Sequence, residues 1–321
     1  MNSSFVEIQK FPIAGDGFTI SRETKTDANV VYVELHRNGS SGAGECVPLK
    51  RYGHTTESIK SEIENWLQEN PVWSRLDLIK TMPAGPARFA LDTAMWQLEA
   101  AEKNLSFAQY FDGELQTLET AFTLSGAAPD KMAALARTKT DFRWLKIKLM
   151  GDGQDEQRMD AIHAAAPDMT LIVDANEGLT PDMLQDLLPV FQRNHVALIE
   201  QPLPENKDEA LTSFSFPIPF AADESCHDAA DLEKLVGKYQ VVNIKLDKAG
   251  GLTHALDMKQ RAETLGFKIM IGCMASTSLS ILPAFFLAQG AAFIDLDGAL
   301  LLEKDRDNTA LSYHNGQISV L

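Results

Sequence analysis

Seven short apolar runs of this 321-residue chain each end on a charged residue or a glycine, and the spacing of those ends constrains the fold most. They fall at 148, 174, 200, 223, 245, 272 and 295, in steps of 26, 26, 23, 22, 27 and 23 residues. The run Ala121–Ser125 precedes them, so eight β-type segments follow one another: Ala121–Ser125, Trp144–Leu149, Leu171–Asp174, Ala197–Glu200, Phe220–Asp223, Val241–Leu246, Lys268–Gly272 and Phe293–Leu296. Amphipathic stretches such as Pro181–Arg193 and Thr253–Leu265 separate them. So even an alternation of strand and helix predicts a parallel barrel of the (β/α)8 type.

The first 115 residues follow another rule. Val30-Val31-Tyr32-Val33-Glu34-Leu35, the turn residues Asn38-Gly39-Ser40-Ser41-Gly42, then Gly44-Glu45-Cys46-Val47 predict a hairpin. From Thr55 the texture is helical, and Phe89, Ala90, Ala94, Trp96 and Ala100 recur near a 3.6 period between Ala87 and Lys103. Strands followed by clustered helices predict an α+β capping domain over 1–115, with the barrel at 116–300 and 301–321 returning to the cap. The fold class expected is therefore α/β, a modified TIM barrel under an α+β cap.

Charge narrows the partners. Lys+Arg number 29 against 45 Asp+Glu, a net charge of −16. That field repels a phosphate backbone and argues against nucleic acid. No run approaches 18 apolar residues, so no membrane span is expected. The start Met1-Asn2-Ser3-Ser4-Phe5-Val6-Glu7 lacks a basic and apolar leader, and Cys46, Cys226 and Cys273 are odd in number and far apart. Both features suit a reducing cytoplasm. A homo-oligomer is compatible with the sequence, which does not specify one.

Strand parity locates the chemistry, because alternate residues share a face. Lys146 and Lys148 share one face of their strand, and Asn243, Lys245 and Asp247 one face of theirs. The aliphatic face of each should meet the helices, so the charged face points into the barrel. Charges there are costly unless paired or bound to a metal, and the carboxyl ends of the strands are where barrel enzymes work. Asp174, Glu200 and Asp223 end the third, fourth and fifth strands. Neighbouring strands lie about 5 Å apart, so three such carboxylates can converge on one hard cation, and an oxygen-only set favours Mg²⁺. Lys148 and Lys245 end the second and sixth strands, opposite one another in a ring of eight. Two facing lysines suit a 1,1-proton transfer, one removing an α-proton and the other delivering one to the opposite face. Lys146 adds positive charge beside them as an auxiliary group.

These residues carry a resemblance. Lys146-Ile147-Lys148, Val173-Asp174-Ala175-Asn176, Ile199-Glu200-Gln201-Pro202, Ala222-Asp223-Glu224-Ser225 and Asn243-Ile244-Lys245-Leu246-Asp247-Lys248-Ala249-Gly250-Gly251 resemble the muconate-lactonizing subgroup of the enolase superfamily. The resemblance covers essentially the whole chain. It implies a (β/α)7β barrel under an α+β cap, Mg²⁺ on Asp174, Glu200 and Asp223, and Lys148 and Lys245 as the acid/base pair.

Phe293-Ile294-Asp295-Leu296-Asp297-Gly298 separates members of the subgroup. Two inward acids make an acceptor for an ammonium, and this resembles the DxD motif of dipeptide epimerases, where it holds the α-ammonium of the substrate. Phe18-Thr19-Ile20-Ser21-Arg22 resembles the loop that brings an arginine to the glutamate side chain in L-Ala-D/L-Glu epimerases. Arg22 then implies an acidic second residue of the dipeptide. Arg51, on a second cap loop, is an alternative contact, and Thr123 a polar contact at the end of the first barrel strand. The function expected is a Mg²⁺-dependent dipeptide epimerase of murein peptide recycling. Its rivals are an o-succinylbenzoate synthase or muconate cycloisomerase on the same scaffold, and a non-catalytic ligand-binding barrel. The five site acids Asp174, Glu200, Asp223, Asp295 and Asp297 take −5 of the net charge and leave −11 to a solvated surface.

Overall fold

The computed structural model describes residues 2–111, 113–215, 217–307 and 309–321. Its cap opens with a three-stranded antiparallel sheet in which Asp27–Arg37 lies between Ser3–Pro12 and Ser40–Cys46. The expected hairpin turns on Asn38 and Gly39, whose φ angles of 53° and 85° give the twist two joined strands require. Helix Pro86–Glu102 lies across this sheet. It approaches so closely that a Cβ on Gly42 or Gly44 would collide with the backbone of Ala94 or Ala90. Glycine is required there by contact rather than by torsion.

Eight parallel strands follow: β1 (Ala121–Leu124), β2 (Trp144–Lys148), β3 (Thr170–Asp174), β4 (Val196–Glu200), β5 (Phe220–Ala222), β6 (Val241–Lys245), β7 (Lys268–Gly272) and β8 (Phe293–Asp295). They pair in sequence order from β1 to β8. Side chains rather than a backbone ladder bring the last strand to the first. Leu296 N donates to Thr120 Oγ1 at 2.9 Å and Thr123 N to Asp297 Oδ2 at 2.6 Å. Helices Pro129–Ala136, Asp155–Ala165, Pro181–Arg193, Leu252–Thr264 and Ser278–Leu287 make five of the seven connections. After β4 a 3₁₀ segment, Asp208–Ser213, replaces the helix, and after β5 only the single turn Leu232–Leu235 remains.

The barrel interior has two layers. At its amino end Ala121, Ile172, Leu198, Ala221, Val241 and Met270 form a separate apolar plug, with Trp144 and Phe293 packed against it. Two residues further along, the inward position is charged or polar on every strand except β7, where it is Gly272. The outward residues Leu145, Ile147, Val173, Ile199, Val242 and Ile244 join the large core under the helices. Parity thus gives the strands one greasy face, and their inner face a greasy foot and a polar head.

The last twenty residues split their contacts. Leu302 bridges Ile13, Glu303 N donates to Pro12 O at 2.9 Å, and Arg306 reaches buried Glu45 and Gln9 of the cap. The final hairpin, Leu311–His314 with Gln317–Val320, instead pairs with Leu118–Glu119 at the amino end of β1. Cap and barrel are also joined by helix Pro86–Glu102. Arg88 donates to Gly250 O and Ala249 O at 2.9 and 2.7 Å, and Asp92 accepts from Thr253 N and Oγ1 at 3.0 and 2.5 Å. No helix among the described residues is long and apolar enough to cross a membrane.

Candidate active site

The strand ends that parity turns inward meet under the cap in a cavity of about 330 Å³. Its wall includes Lys146, Lys148, Asp223, Lys245, Thr123, Asp295 and Asp297 from the barrel and Phe18, Arg22 and Arg51 from two cap loops. Asp174 and Glu200 lie behind that wall and are fully buried.

One ligand oxygen each from Asp174, Glu200 and Asp223 lies within 4.8 Å of the others. Lys146 sits inside this acidic ring, with Nζ at 3.2 Å from Asp174, 2.7 Å from Glu200 and 2.7 Å from Asp295. Lys148 meets Asp174 Oδ2 at 2.5 Å, and Lys245 meets Asp223 Oδ2 at 2.8 Å. The two outer lysines are thus held on opposite strands by different members of the triad.

Burial opposes the Lys146 ammonium, but Asp295, Glu200 and Asp174 outweigh it and keep the group charged, well above the usual lysine range. Lys245 is raised in the same way, burial being overcome chiefly by Asp223. Burial likewise opposes ionisation of Asp174, yet Lys148 and Lys146 hold its carboxyl below the usual carboxylate range. Asp223 is depressed too, against burial, by Lys245 and Lys248. Glu200 goes the other way: burial raises it, and repulsion from Asp174 adds to the rise. Lys146, Lys245, Asp174 and Asp223 thus hold one another in their charged forms, and within the triad Glu200 alone is pushed toward its neutral form.

The triad fits a hard cation by its chemistry: three buried carboxylates with no nitrogen or sulfur among them. Glu200 Oε2 is a further sign. Lys146 lies 2.7 Å away, yet this buried oxygen accepts no hydrogen bond of acceptable direction. An oxygen with charge nearby and no directed donor is suited to a spherical ion.

The substrate-side candidates divide. Thr123, Asp295 and Asp297 come together: Thr123 Oγ1 lies 3.5 Å from Asp295 Oδ1, and Thr123 N bonds Asp297. Asp297 is raised, first by burial and then by repulsion from Asp295. Arg22 and Arg51, from separate cap loops, converge on a residue that parity does not single out, Glu177. Arg22 Nη1 donates to Glu177 Oε2 at 2.6 Å, and Arg51 binds both Glu177 oxygens. Glu177 sits in the left-handed region, φ 68°, three residues beyond the strand end at Asp174. Nothing in the local pattern announces that turn.

Other missed residues lie inside motifs already quoted. Asn176 N donates to Asp174 Oδ1 at 2.9 Å, and Lys248 Nζ meets Asp223 Oδ1 at 2.6 Å. Asp247 accepts from Val47 N at 2.9 Å, tying the second cap loop to the turn after β6. Alternation past Asp174 would have included Asn176, whereas Lys248 reaches its partner by a helical turn that alternation cannot extend to.

Fold and site together define a barrel enzyme built for acid–base chemistry at the carboxyl ends of its strands. Residues 131–321 match the enolase C-terminal domain-like family. The chain is 42% identical to the L-Ala-D/L-Glu epimerase of Escherichia coli (strain K12), over 94% of each chain. It is also 42% identical to an N-acetyl-D-glutamate racemase from Pseudoalteromonas sp., over 87% of this chain and 89% of that one. Among solved structures, an enolase family member from Agrobacterium tumefaciens with homology to dipeptide epimerases, bound to sodium and L-Ala-L-Glu, superposes with a TM-score of 0.96. The two are 43% identical over 100% of this chain and 98% of that one. The dipeptide epimerase from Enterococcus faecalis, complexed with Mg and L-Leu-L-Tyr, superposes with a TM-score of 0.91 at 30% identity, over 99% of this chain and 96% of that one. The chain belongs to the enolase superfamily, among its dipeptide epimerases, and is an isomerase.

Proposed function

We propose that this chain is a Mg²⁺-dependent epimerase of L-Ala-D/L-Glu type, inverting the α-carbon of the C-terminal residue of the dipeptide. The observation that carries this reading is the pair Lys148 and Lys245. They stand on opposed strands, line one cavity, and are each anchored to a different carboxylate of the triad. A binder has no use for a second opposed lysine, and the acceptor pair Asp295 and Asp297 favours an epimerase over a lyase or cycloisomerase on the same scaffold. Two facing Nζ groups suit removal of an α-proton by one lysine in its neutral form and return of a proton from the other, on the opposite face.

Asp174, Glu200 and Asp223 would hold the Mg²⁺. When bound, it supplies a positive charge that favours the anion formed as the α-proton leaves. Lys146 balances the triad and Asp295 and keeps the cavity from rejecting an anionic substrate. Asp295 and Asp297 are suited to an α-ammonium, with Thr123 holding both in place. For the side chain, Arg22 is the contact that the loop resemblance favours and Arg51 the alternative. Both Nη groups of each arginine already meet acceptors of the protein, which a substrate carboxylate would have to displace. Cys46, Cys226 and Cys273 are unpaired, which fits the reducing cytoplasm where murein-derived dipeptides would be met.

The N-acetylglutamate racemase among the relatives supplies the second reading, and the two differ in whether the substrate carries an ammonium. L-Ala-L-Glu incubated in D₂O should gain deuterium at the glutamyl α-carbon and yield the L,D isomer. N-acetylglutamate, succinylbenzoate and muconate-type acids should turn over far more slowly. Asp297→Asn should raise the KM for L-Ala-L-Glu by roughly tenfold and leave any N-acetylglutamate turnover unchanged. A wild-type enzyme that prefers N-acetylglutamate and ignores Asp297→Asn would replace the dipeptide reading.

A further inference from the structure

Glu224 follows the triad's Asp223 and takes no part in the chemistry described so far. It is almost wholly buried, lines the cavity, and divides its oxygens between two tasks. Oε1 accepts from Arg22 Nη2 at 2.8 Å and from Asn176 Nδ2 at 3.3 Å. Oε2 has no hydrogen-bond partner. Burying a carboxylate oxygen without a donor is costly, and native proteins rarely leave one so.

The same guanidinium also holds Asn176, whose carbonyl accepts from Arg22 Nη1 at 2.8 Å. Asn176 in turn donates its backbone N–H to Asp174. Arg22 of the first cap loop therefore grips the two residues that directly follow the triad's strand ends, one beyond Asp174 and one beyond Asp223. Of the cap arginines, Arg22 alone has such a contact among the described residues; Arg51 stops at Glu177 and Glu205.

We propose that Glu224 is a positioning residue that couples the cap arginine to the cation site. Its free Oε2 accepts from water held by the Mg²⁺, which keeps several waters when bound, and Arg22 neutralises part of the charge that Glu224 offers there. A substrate carboxylate reaching Arg22 competes with Glu224 for the guanidinium. Substrate and cation affinities are then linked, and the linkage is reciprocal. This inference rests on the reading of Asp174, Glu200 and Asp223 as the cation ligands.

The test is calorimetric titration of Mg²⁺ into the full chain without substrate, so catalysis does not enter the measurement. Glu224→Gln keeps the shape and an acceptor for Arg22 but puts an amide where the charged oxygen was. It should weaken Mg²⁺ binding by about tenfold or more. Arg22→Met should act in the opposite sense, tightening Mg²⁺ by about fivefold, because burial and Asn176 retain Glu224 while its counter-charge is gone. Arg22 lies on an exposed loop, so this variant remains informative if Glu224→Gln folds poorly. Glu177→Gln, which also releases Arg22 but leaves Glu224 intact and has no contact with the triad, should stay within about twofold of wild type. Unchanged affinity in both Glu224→Gln and Arg22→Met, or weakening in both, overturns the coupling. Absence of Mg²⁺ binding to the wild type overturns the ligand reading instead.

Discussion

At the scale of single residues the site is a problem in charge placement. Lys148 and Lys245 carry the same side chain and both stand against a carboxylate, Asp174 at 2.5 Å and Asp223 at 2.8 Å. What differs is the face each presents to a shared cavity, and this difference is testable by stereochemistry. Lys148→Ala and Lys245→Ala should each lower epimerisation by about a thousandfold. Each should retain α-proton exchange in D₂O from one enantiomer of the glutamyl residue only, and the retained enantiomer should be opposite in the two variants. Proton NMR of L-Ala-L-Glu and L-Ala-D-Glu with each variant measures this directly. Exchange from both stereoisomers in either variant would assign the proton transfers to other groups.

At the scale of elements, strand parity was readable because a barrel imposes it twice, once for the helices outside and once for the polar layer inside. The strand run ending at Glu200 illustrates this: Leu198 enters the apolar plug, Ile199 the outer core, and Glu200 the acidic ring. What the sequence concealed lies where alternation stops. The helix-sized gap after β4 holds a 3₁₀ segment, because spacing reports only the length of a connection. Glu177 gathers both cap arginines from a left-handed turn with no period to follow, and Asp92 docks the cap helix from within a continuous helical pattern. Asp92 also permits a prediction at this scale. Burial lifts its pKa from 3.8 to about 6, against the bonds from Thr253 that lower it. A carboxyl raised in the folded state binds its proton more tightly there than when unfolded. Its contribution is therefore fully present below pH 3.8 and is lost as pH rises through about 6, a change of about 3 kcal/mol. Asp92→Asn cannot titrate. The melting temperature of Asp92→Asn minus that of wild type should therefore increase between about pH 4 and about pH 6.5 and level off above that. A flat difference would mean that Asp92 keeps its charge in the interface throughout.

At the scale of the whole molecule the net charge of −16 separates into two unequal parts. Inside the barrel mouth six carboxylates, Asp174, Glu200, Asp223, Glu224, Asp295 and Asp297, face four lysines, Lys146, Lys148, Lys245 and Lys248, and Arg22. The site is therefore near neutrality, and about −15 lies on the rest of the molecule. Without Glu224, the site acids taken alone account for −5 and leave −11 outside; the buried lysines, Lys248 among them, shift that balance. Bulk acidity consequently says little about the ligand, since an anionic substrate meets a cavity whose charges are paired. The two parts should respond to different ions. Surface repulsion is screened by any salt once the Debye length falls below the spacing of the charges, so 0.5 M NaCl should raise the melting temperature of wild type and Asp174→Asn alike. Mg²⁺ at about a hundred times its Kd, added on that saline background, should stabilise wild type by about 2.7 kcal/mol, or about 5 °C in melting temperature. Chelation should reverse this gain, and Asp174→Asn should lack it. Equal Mg²⁺ responses in the two proteins would place the cation on the acidic surface and take it away from the triad.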